Sequence, residues 1–420
     1  MLNLPRLLFK LLMLRVIMPS TVGFAQPVLS TGGKMMPDVW IDSVTGHKIK
    51  KLVKRDGNNI SFYFHNNPFV GNNMVFYGTE KLNTSANDSV KQETGNIRAA
   101  NIQLYSVNLT NGAVKQLTHE TQQMRGEIVS PKQGLVYYQV RDTVFSVDIK
   151  TGKRLNVFVF PEDFRAGITT VNSDGSLLAG SWSSPKELEI FKSNPAKSSY
   201  FNLIYEAKEP RTLFTINTTT GKLEKLWTDS AWLNHVQFSP TEPNVLMFCH
   251  EGPWHKVDRI WTIDVQSKVI RKMHQRTMPM EIFGHEWFSH DGKTIWFDLQ
   301  KPRSVTFFVA GADVKTGKEK MYSLERDEWS IHYNISPDQK LFCGDGGDSS
   351  QVAKAKNGMW IYLFTPSGDK FFSDKLVDMH HHNYKLEPNV HFSPDGKWII
   401  FRANFEGHTD IYAVEIAKAG

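Results

Sequence analysis

Cysteine is almost absent, with two residues in 420. Both Cys249 and Cys343 fall inside apolar stretches read as strands, so two buried free thiols are expected. A disulfide is not expected, and no cysteine cluster points to zinc or to an iron–sulfur centre. Beyond the N-terminus there is no run of about 20 apolar residues, and hence no membrane span. Excess charge is small: 49 Lys and Arg against 43 Asp and Glu give a net +6. No basic run is interleaved with aromatics, so nucleic acid is not an expected partner. The mild positive balance does suit an acidic ligand. Helical periodicity is scarce as well, and only Pro185 to Lys192 reads as a short helix. No pair of carboxylates is placed for glycoside hydrolysis.

What is there is apolar and aromatic: 40% and 12% of the chain, ample for a large core. Residues 1–25 combine basic residues, apolar runs and a small-residue end at Gly23-Phe-Ala25. They read as a secretory signal peptide cleaved after Ala25, which places the mature chain in the periplasm or outside the cell. Residues 26–420 then form a single domain.

That domain is written as a repeat. Phe392-Ser-Pro-Asp-Gly-Lys-Trp-Ile-Ile-Phe401 is an aromatic strand end, a turn and a new apolar strand. Asp-Gly tolerates the positive φ of a tight hairpin and Pro fixes its entry. Variants begin at Phe69, Val129, Asn172, Phe238, Phe288 and Ile335, which makes seven copies. A second phrase, an alternating strand closed by Thr-Gly or a similar turn, follows at Leu104, Val144, Leu213 and Ala312. The turn serines recur roughly every 45 to 65 residues, the period of a four-stranded blade with loop insertions. The fold class expected is all-β, a seven-bladed β-propeller. Two orphan pieces, the hairpin Val39 to Val53 and the terminal strand from Asp410, fit a ring closed by the two chain ends. Insertions fall at Leu82 to Asn96, Ser183 to Lys208 and Asp345 to Asn357, where long loops would build a pocket.

Histidine is the informative residue. His235, His285 and His332 stand at corresponding points just before three successive turns, and Glu387 and Asn389 stand there in the last repeat. In a propeller those points border the central channel, so the side chains would converge on a shared site for a metal or an anion. A second cluster, Phe248-Cys-His250-Glu-Gly-Pro-Trp-His255-Lys-Val-Asp258-Arg259, holds many ionisable groups in one blade-top loop. Arg211 ends the longest insertion, and its planar fork suits a carboxylate. The run His380-His-His-Asn383 offers further metal donors.

These residues resemble those of the oligogalacturonate lyases, propellers that degrade short pectin fragments. The resemblance runs from about residue 38 to the end. It is carried by Phe248-Cys-His-Glu-Gly-Pro with Val257-Asp258 and Trp261, and by Gly284-His-Glu-Trp. Phe62-Tyr-Phe, the Asn172-Ser-Asp turn and Gly344-Asp-Gly add to it. It implies β-elimination on an acidic oligosaccharide, with His235 as the base and Arg211 assisting at the carboxylate. His250, His332 and Arg259 would line the substrate pocket. It also implies a divalent cation, manganese or else calcium, bound through His285. The family's other ligands form a Gln-x-x-His-x-His arrangement, where this chain has Tyr384-Lys-Leu-Glu387-Pro-Asn389. Glu387 and Asn389 are the candidate replacements, and the altered set leaves the uronide open. The rival expectation is a non-catalytic, TolB-like propeller that binds a sugar or a protein.

Overall fold

The repeated turn folds as its chemistry dictates. In the last copy the Ser393 hydroxyl donates to the Asp395 carboxylate (2.6 Å) and accepts the Trp398 amide (3.0 Å). Gly396 sits at φ 69°. The Ser289–Asp291 turn repeats this geometry, at 2.7 and 3.0 Å. So does the Ser336–Asp338 turn, where Gln339 occupies the left-handed position at φ 61° in place of glycine. The serine thus satisfies the turn's own polar groups and passes the chain into the next strand in fixed register.

The computed structural model describes residues 26–79 and 102–419. The export segment expected at 1–25 and the polar insertion at 82–96 lie outside the described residues. The described strands form six sheets. Three are four-stranded antiparallel meanders, opening with Met124–Ser130, Gly167–Val171 and Trp232–Phe238. A fourth is built on Asn73–Gly78 and Gln103–Asn108. The eight-stranded sheet consists of two such meanders, opening with Ile282–Phe288 and Tyr333–Ile335. A single parallel pair, Ser323 with Lys370, joins them. The six-stranded sheet unites the chain ends: His47–Lys51 pairs antiparallel with Asp410–Lys418, Ile49 opposite Val414. Both orphan pieces of the sequence meet here and close the ring.

Opening strands of successive sheets pack on one another. Phe69–Val70 touches Met124–Ser130, which touches Gly167–Val171, which touches Trp232–Phe238. Apolar clusters fill the gaps between sheets, as with Ile128, Val144, Leu178 and Phe214. The core is therefore a set of wedges around an axis rather than one slab. Cys249 and Cys343 are buried and free.

Because every meander runs the same way, the long connections at 184–210, 252–259 and 345–359 emerge on one face, the loop face. The serine turns lie on the other. Two helices occupy the first connection: Pro185–Ser193, capped by the Ser184 hydroxyl on the Glu187 amide (3.1 Å), and Lys197–Ala207. Sequence periodicity anticipates only the first. The second, rich in Ser and aromatics, is a poor helix former held by tertiary contact, with Tyr200 on Phe191 (4.7 Å) and Phe201 on Trp232 (5.4 Å). No described helix is long and apolar enough to cross a membrane.

Asp410 opens the closing strand. Burial pushes its carboxyl up to about 6, against hydrogen bonds from the Ile411 amide and Asn59. A carboxyl raised in the folded state favours folding while protonated, and that contribution is lost as pH rises through about 6. Asp410→Asn is therefore expected to gain roughly 1–3 kcal/mol at pH 7 and to flatten the fall in stability between pH 4 and 7. Urea unfolding at the two pH values measures both. An unchanged pH slope would show that Asp410 does not couple proton binding to ring closure.

Candidate active site

The ladder between first and second strands breaks at the same point in several sheets. The register skips from Asn234 to Gln237, from Gly284 to Trp287, and opposite Gly126–Glu127. Four residues before its turn serine, each of these strands places a residue at positive φ: Gly126 (128°), His235 (47°) and His285 (52°). Asn389, at the same distance from Ser393, has φ 53°. The bulge re-aims a side chain that a regular pleat would send between sheets. Both histidine rings reach the segment Tyr63–His65: His235 lies 6.3 Å from His65, and His285 lies 6.3 Å from Phe64. His332 stacks on Phe64 at 4.6 Å and meets the His285 ring at 5.0 Å. The three histidines singled out from sequence thus gather around one segment.

His235 Nε2 is 3.3 Å from Glu251 Oε2. The other oxygen of Glu251 accepts from Arg259 Nη1 at 2.5 Å, and Arg259 Nε donates to Glu286 Oε1 at 2.9 Å. Burial raises the Glu251 carboxyl, but Arg259 and His235 outweigh it and hold the group well below the ordinary carboxylate range. Arg259, expected to line the substrate pocket, is 1% exposed. Its guanidinium is the buried brace of two carboxylates, beneath His235 rather than on an open surface.

His332 is fully buried. Its Nδ1 meets Asp345 Oδ2 at 2.9 Å, and its Nε2 lies 3.2 Å from the Tyr63 hydroxyl and 3.8 Å from Glu387 Oε2. Burial drives the imidazole well down and pushes the Asp345 carboxyl up to about 7. Both shifts have one cause, so the pair is held without net charge. His65, which sequence reasoning missed, has a buried Nδ1 without a hydrogen-bond partner. Burial and the neighbouring His235 push it down to about 3.

Arg211 forms a two-pronged pair with Glu187 of the first inserted helix, through Nε (2.7 Å) and Nη2, while Nη1 donates to the Leu233 carbonyl (2.9 Å). Three of the five guanidinium N–H groups are thereby engaged. His250 lies between Trp261 on the neighbouring strand of its own sheet (4.7 Å) and Trp227 of the preceding sheet (6.2 Å). The run at 380–382 diverges: His380 meets Asp378 (2.5 Å), His382 bonds the Leu386 carbonyl (2.7 Å), and His381 packs over Gly32 and Gly33. Those three rings do not form one metal site.

Among the described residues, no three His, Cys, Asp or Glu side chains are arranged to hold a metal ion. Of the expected ligands, Asn389 is fully buried and both ends of its amide are engaged: Oδ1 accepts the Phe64 amide (3.0 Å) and Nδ2 donates to the Glu387 carbonyl (3.0 Å). The Tyr384 hydroxyl is bonded to the Asp345 carbonyl (3.0 Å). Two donors fit a cation. His285 faces Asp298 through Nδ1 (3.3 Å), the carboxylate backing that leaves Nε2 for a ligand, and Glu387 is half-buried, with Oε2 3.8 Å from His332 Nε2. Burial lowers the His285 imidazole, but Asp298, with Glu387 and Glu286 behind it, holds it above the ordinary value.

A cavity of about 300 Å³ opens on the turn face, lined by His65, Phe69, Lys132, Trp287 and His391. It lies behind the histidine layer. The ionisable groups and long connections converge on the loop face, and that face is the candidate site.

A nearly all-β chain of successive antiparallel sheets, with imidazoles gathered where the opening strands meet, is of the kind found in propeller proteins. At the level of fold, the β-propeller domain of a Myceliophteria thermophila protein superposes with a TM-score of 0.52, at 9% identity over 87% of this chain and 99% of that one. The oligogalacturonate lyase family matches residues 38–419, and the chain belongs to that family of enzymes. The oligogalacturonate lyase of Dickeya dadantii is 25% identical over 397 residues, covering 89% of this chain and 95% of the relative. A solved oligogalacturonate lyase in complex with manganese matches with a TM-score of 0.72 and 21% identity, over 93% of this chain and 99% of that one.

Removing one partner of a buried ion pair strands the other. Glu187→Ala is expected to destabilise the fold by about 3 kcal/mol in urea unfolding, and Arg211→Ala by a similar amount. The double variant should cost little more than either alone. Additive losses would show that the two side chains are stabilised independently.

Proposed function

We propose that this chain cleaves uronic-acid oligosaccharides of the oligogalacturonate kind by β-elimination, as a seven-bladed propeller spanning residues 26–420. The blade count treats the eight-stranded sheet as two blades. Each half is a complete meander, and one residue pair joins them. The observation that carries the activity is the His235 imidazole, set at the axis by a left-handed bulge and backed by the Glu251 carboxylate at 3.3 Å. His235 takes the proton from C5 of the uronate. The C–H electrons form the C4–C5 double bond, the bond from C4 to the glycosidic oxygen breaks, and the leaving oxygen is protonated from water. A C5 proton is weakly acidic until the adjacent carboxylate is neutralised, so a cationic group must face that carboxylate. Arg211, whose charge is matched by Glu187, assists at that carboxylate with the two N–H groups its buried pairing leaves over. His250, between its two tryptophans, borders the sugar, while His332, expected to line the pocket, is fully buried and supports Tyr63 from behind.

His285 and Glu387 are the residues that would hold a divalent cation, and when bound it supplies further neutralisation of the uronate carboxylate. One imidazole in the pair suits manganese better than calcium, which prefers an all-oxygen shell. The export reading of residues 1–25 puts the enzyme in the periplasm or outside the cell, where acidic oligosaccharides arrive.

Incubation with oligogalacturonate and related uronides, followed by ultraviolet absorbance of the unsaturated product, tests this. His235→Ala should lower kcat by about 10³-fold while thermal unfolding is retained. EDTA should lower the rate and manganese restore it. No unsaturated product from any uronide would overturn the reading and leave a sugar- or protein-binding propeller.

A further inference from the structure

The groups beneath His235 form a closed buried set. Glu251 and Glu286 share Arg259, which is 1% exposed and lies over the Trp254 ring at 5.0 Å. Glu286 is 1% exposed, and its second oxygen has no hydrogen-bond partner. Two carboxylates and one guanidinium leave the set one negative charge in excess. The only imidazole within reach of a Glu251 oxygen is His235, among the described residues. An ionised carboxylate is an acceptor only. The ring nitrogen that faces it must then carry a hydrogen, and a neutral imidazole has only one.

We infer that Glu251 is a positioning residue that fixes the tautomer of His235, with the hydrogen on Nε2 and the lone pair on Nδ1, so that Nδ1 is the atom that takes the substrate proton. The inference rests on His235 being the base. When Nδ1 accepts the proton, the imidazolium cancels the excess negative charge below it, and the charge formed during reaction is stabilised by dipoles and charges already in place. Arg259 keeps Glu251 ionised and Glu286 keeps Arg259 in place, so the chain of support runs from the adjoining sheet to the ring. The charged and titratable groups facing His235 are Glu251 and Arg259 of its own sheet, Glu286 and His332 of the eight-stranded sheet, and His65 from the axial segment. Arg211 stands on the preceding sheet, near Glu251.

Side-chain nitrogen NMR of the histidine-labelled protein tests the tautomer without any assay, the His235 signals being those lost in His235→Ala. A hydrogen-bearing Nε2 and a bare Nδ1 are expected. A bare Nε2 would overturn the inference. In Glu251→Gln the tautomer preference should relax and kcat should fall about 10- to 100-fold with KM little changed. The acid limb of the kcat/KM profile should move to lower pH, because the imidazolium loses its anion. Glu251→Asp should restore part of kcat and return the limb toward its original position. If Glu251→Gln leaves both kcat and the acid limb unchanged, Glu251 plays no such part. If His235→Ala stays active, His235 is not the base, and the NMR result still decides what Glu251 does to the ring.

Discussion

The site depends on a backbone conformation that L-residues avoid. His235, His285 and Asn389 all hold left-handed φ within their opening strands or at their entrance. Each costs on the order of 1–2 kcal/mol against a regular strand. A regular pleat alternates side chains between the two faces of a sheet, and in a propeller both faces are buried against neighbours. Only a break in the ladder frees a side chain to point along the strand's inner edge, toward the axis. Antiparallel pairing on both sides of each break and the apolar wedges between sheets hold the strain in place. The same bulge recurs with glycine at Gly126, where the following residue, Glu127, accepts the Tyr63 amide at 2.7 Å. One device thus both supplies imidazoles and fastens the segment they surround.

Around that segment the charges are buried in small, internally matched sets. Arg211 with Glu187, Arg259 with Glu251 and Glu286, and His332 with Asp345 are each at least nine-tenths buried. Pairing is what makes such burial tolerable, and no member can leave without stranding the others. The sets differ in net charge, which is where structure becomes chemistry. The Arg211 set and the His332 set are neutral, while the set under His235 is negative by one. In the proposed reaction, a uronate approaching His235 meets an unfavourable field on the base side. Arg211, matched by Glu187, stands near Glu251 on the preceding sheet, so its remaining N–H groups add hydrogen-bond donors rather than net positive charge. Proton acceptance above a negative set is one of the two polarities the proposed elimination needs.

Much of this was legible in the residues because it is local. A Ser-Pro-Asp-Gly turn encodes its own hydrogen bonds, so the repeats, the strand order and the ring closure through Val39–Val53 and Asp410 follow from short-range chemistry. The offset from turn serine to axial residue is local too, and it selected His235, His285, His332 and Asn389 together. What was not legible is long-range. Arg259 looked like a pocket residue, yet its carboxylate partner Glu286 lies on another sheet. Asn389 looked like a ligand, yet its amide is claimed by Phe64, a contact 325 residues apart in sequence. The second inserted helix has weak intrinsic propensity and exists by packing on Trp232. Glu251, Glu286, Tyr63 and Asp345 all sit inside the short motifs that carried the family resemblance. Those motifs are better understood as partners of the histidines than as separate signatures.

The axis has two ends, and fold alone does not choose between them. The turn face carries a cavity of about 300 Å³, but the polar groups around it are largely spent on neighbouring sheets. Gln237 donates to the Glu286 carbonyl, Asn334 to the Phe64 carbonyl, and His391 contacts the carbonyls of Asn389 and Asn66. Satisfied groups of that kind weld sheets together and have little left for a ligand. Unpartnered buried polar atoms occur on both sides of the histidine layer, His250 Nε2 and Glu286 Oε2 on one and His65 Nδ1 and Trp287 Nε1 at the turn-face cavity on the other. An unsatisfied buried polar atom costs about 1–3 kcal/mol unless something answers it. What distinguishes the loop face is the convergence there of the ionisable side chains and of the long connections at 184–210, 252–259 and 345–359.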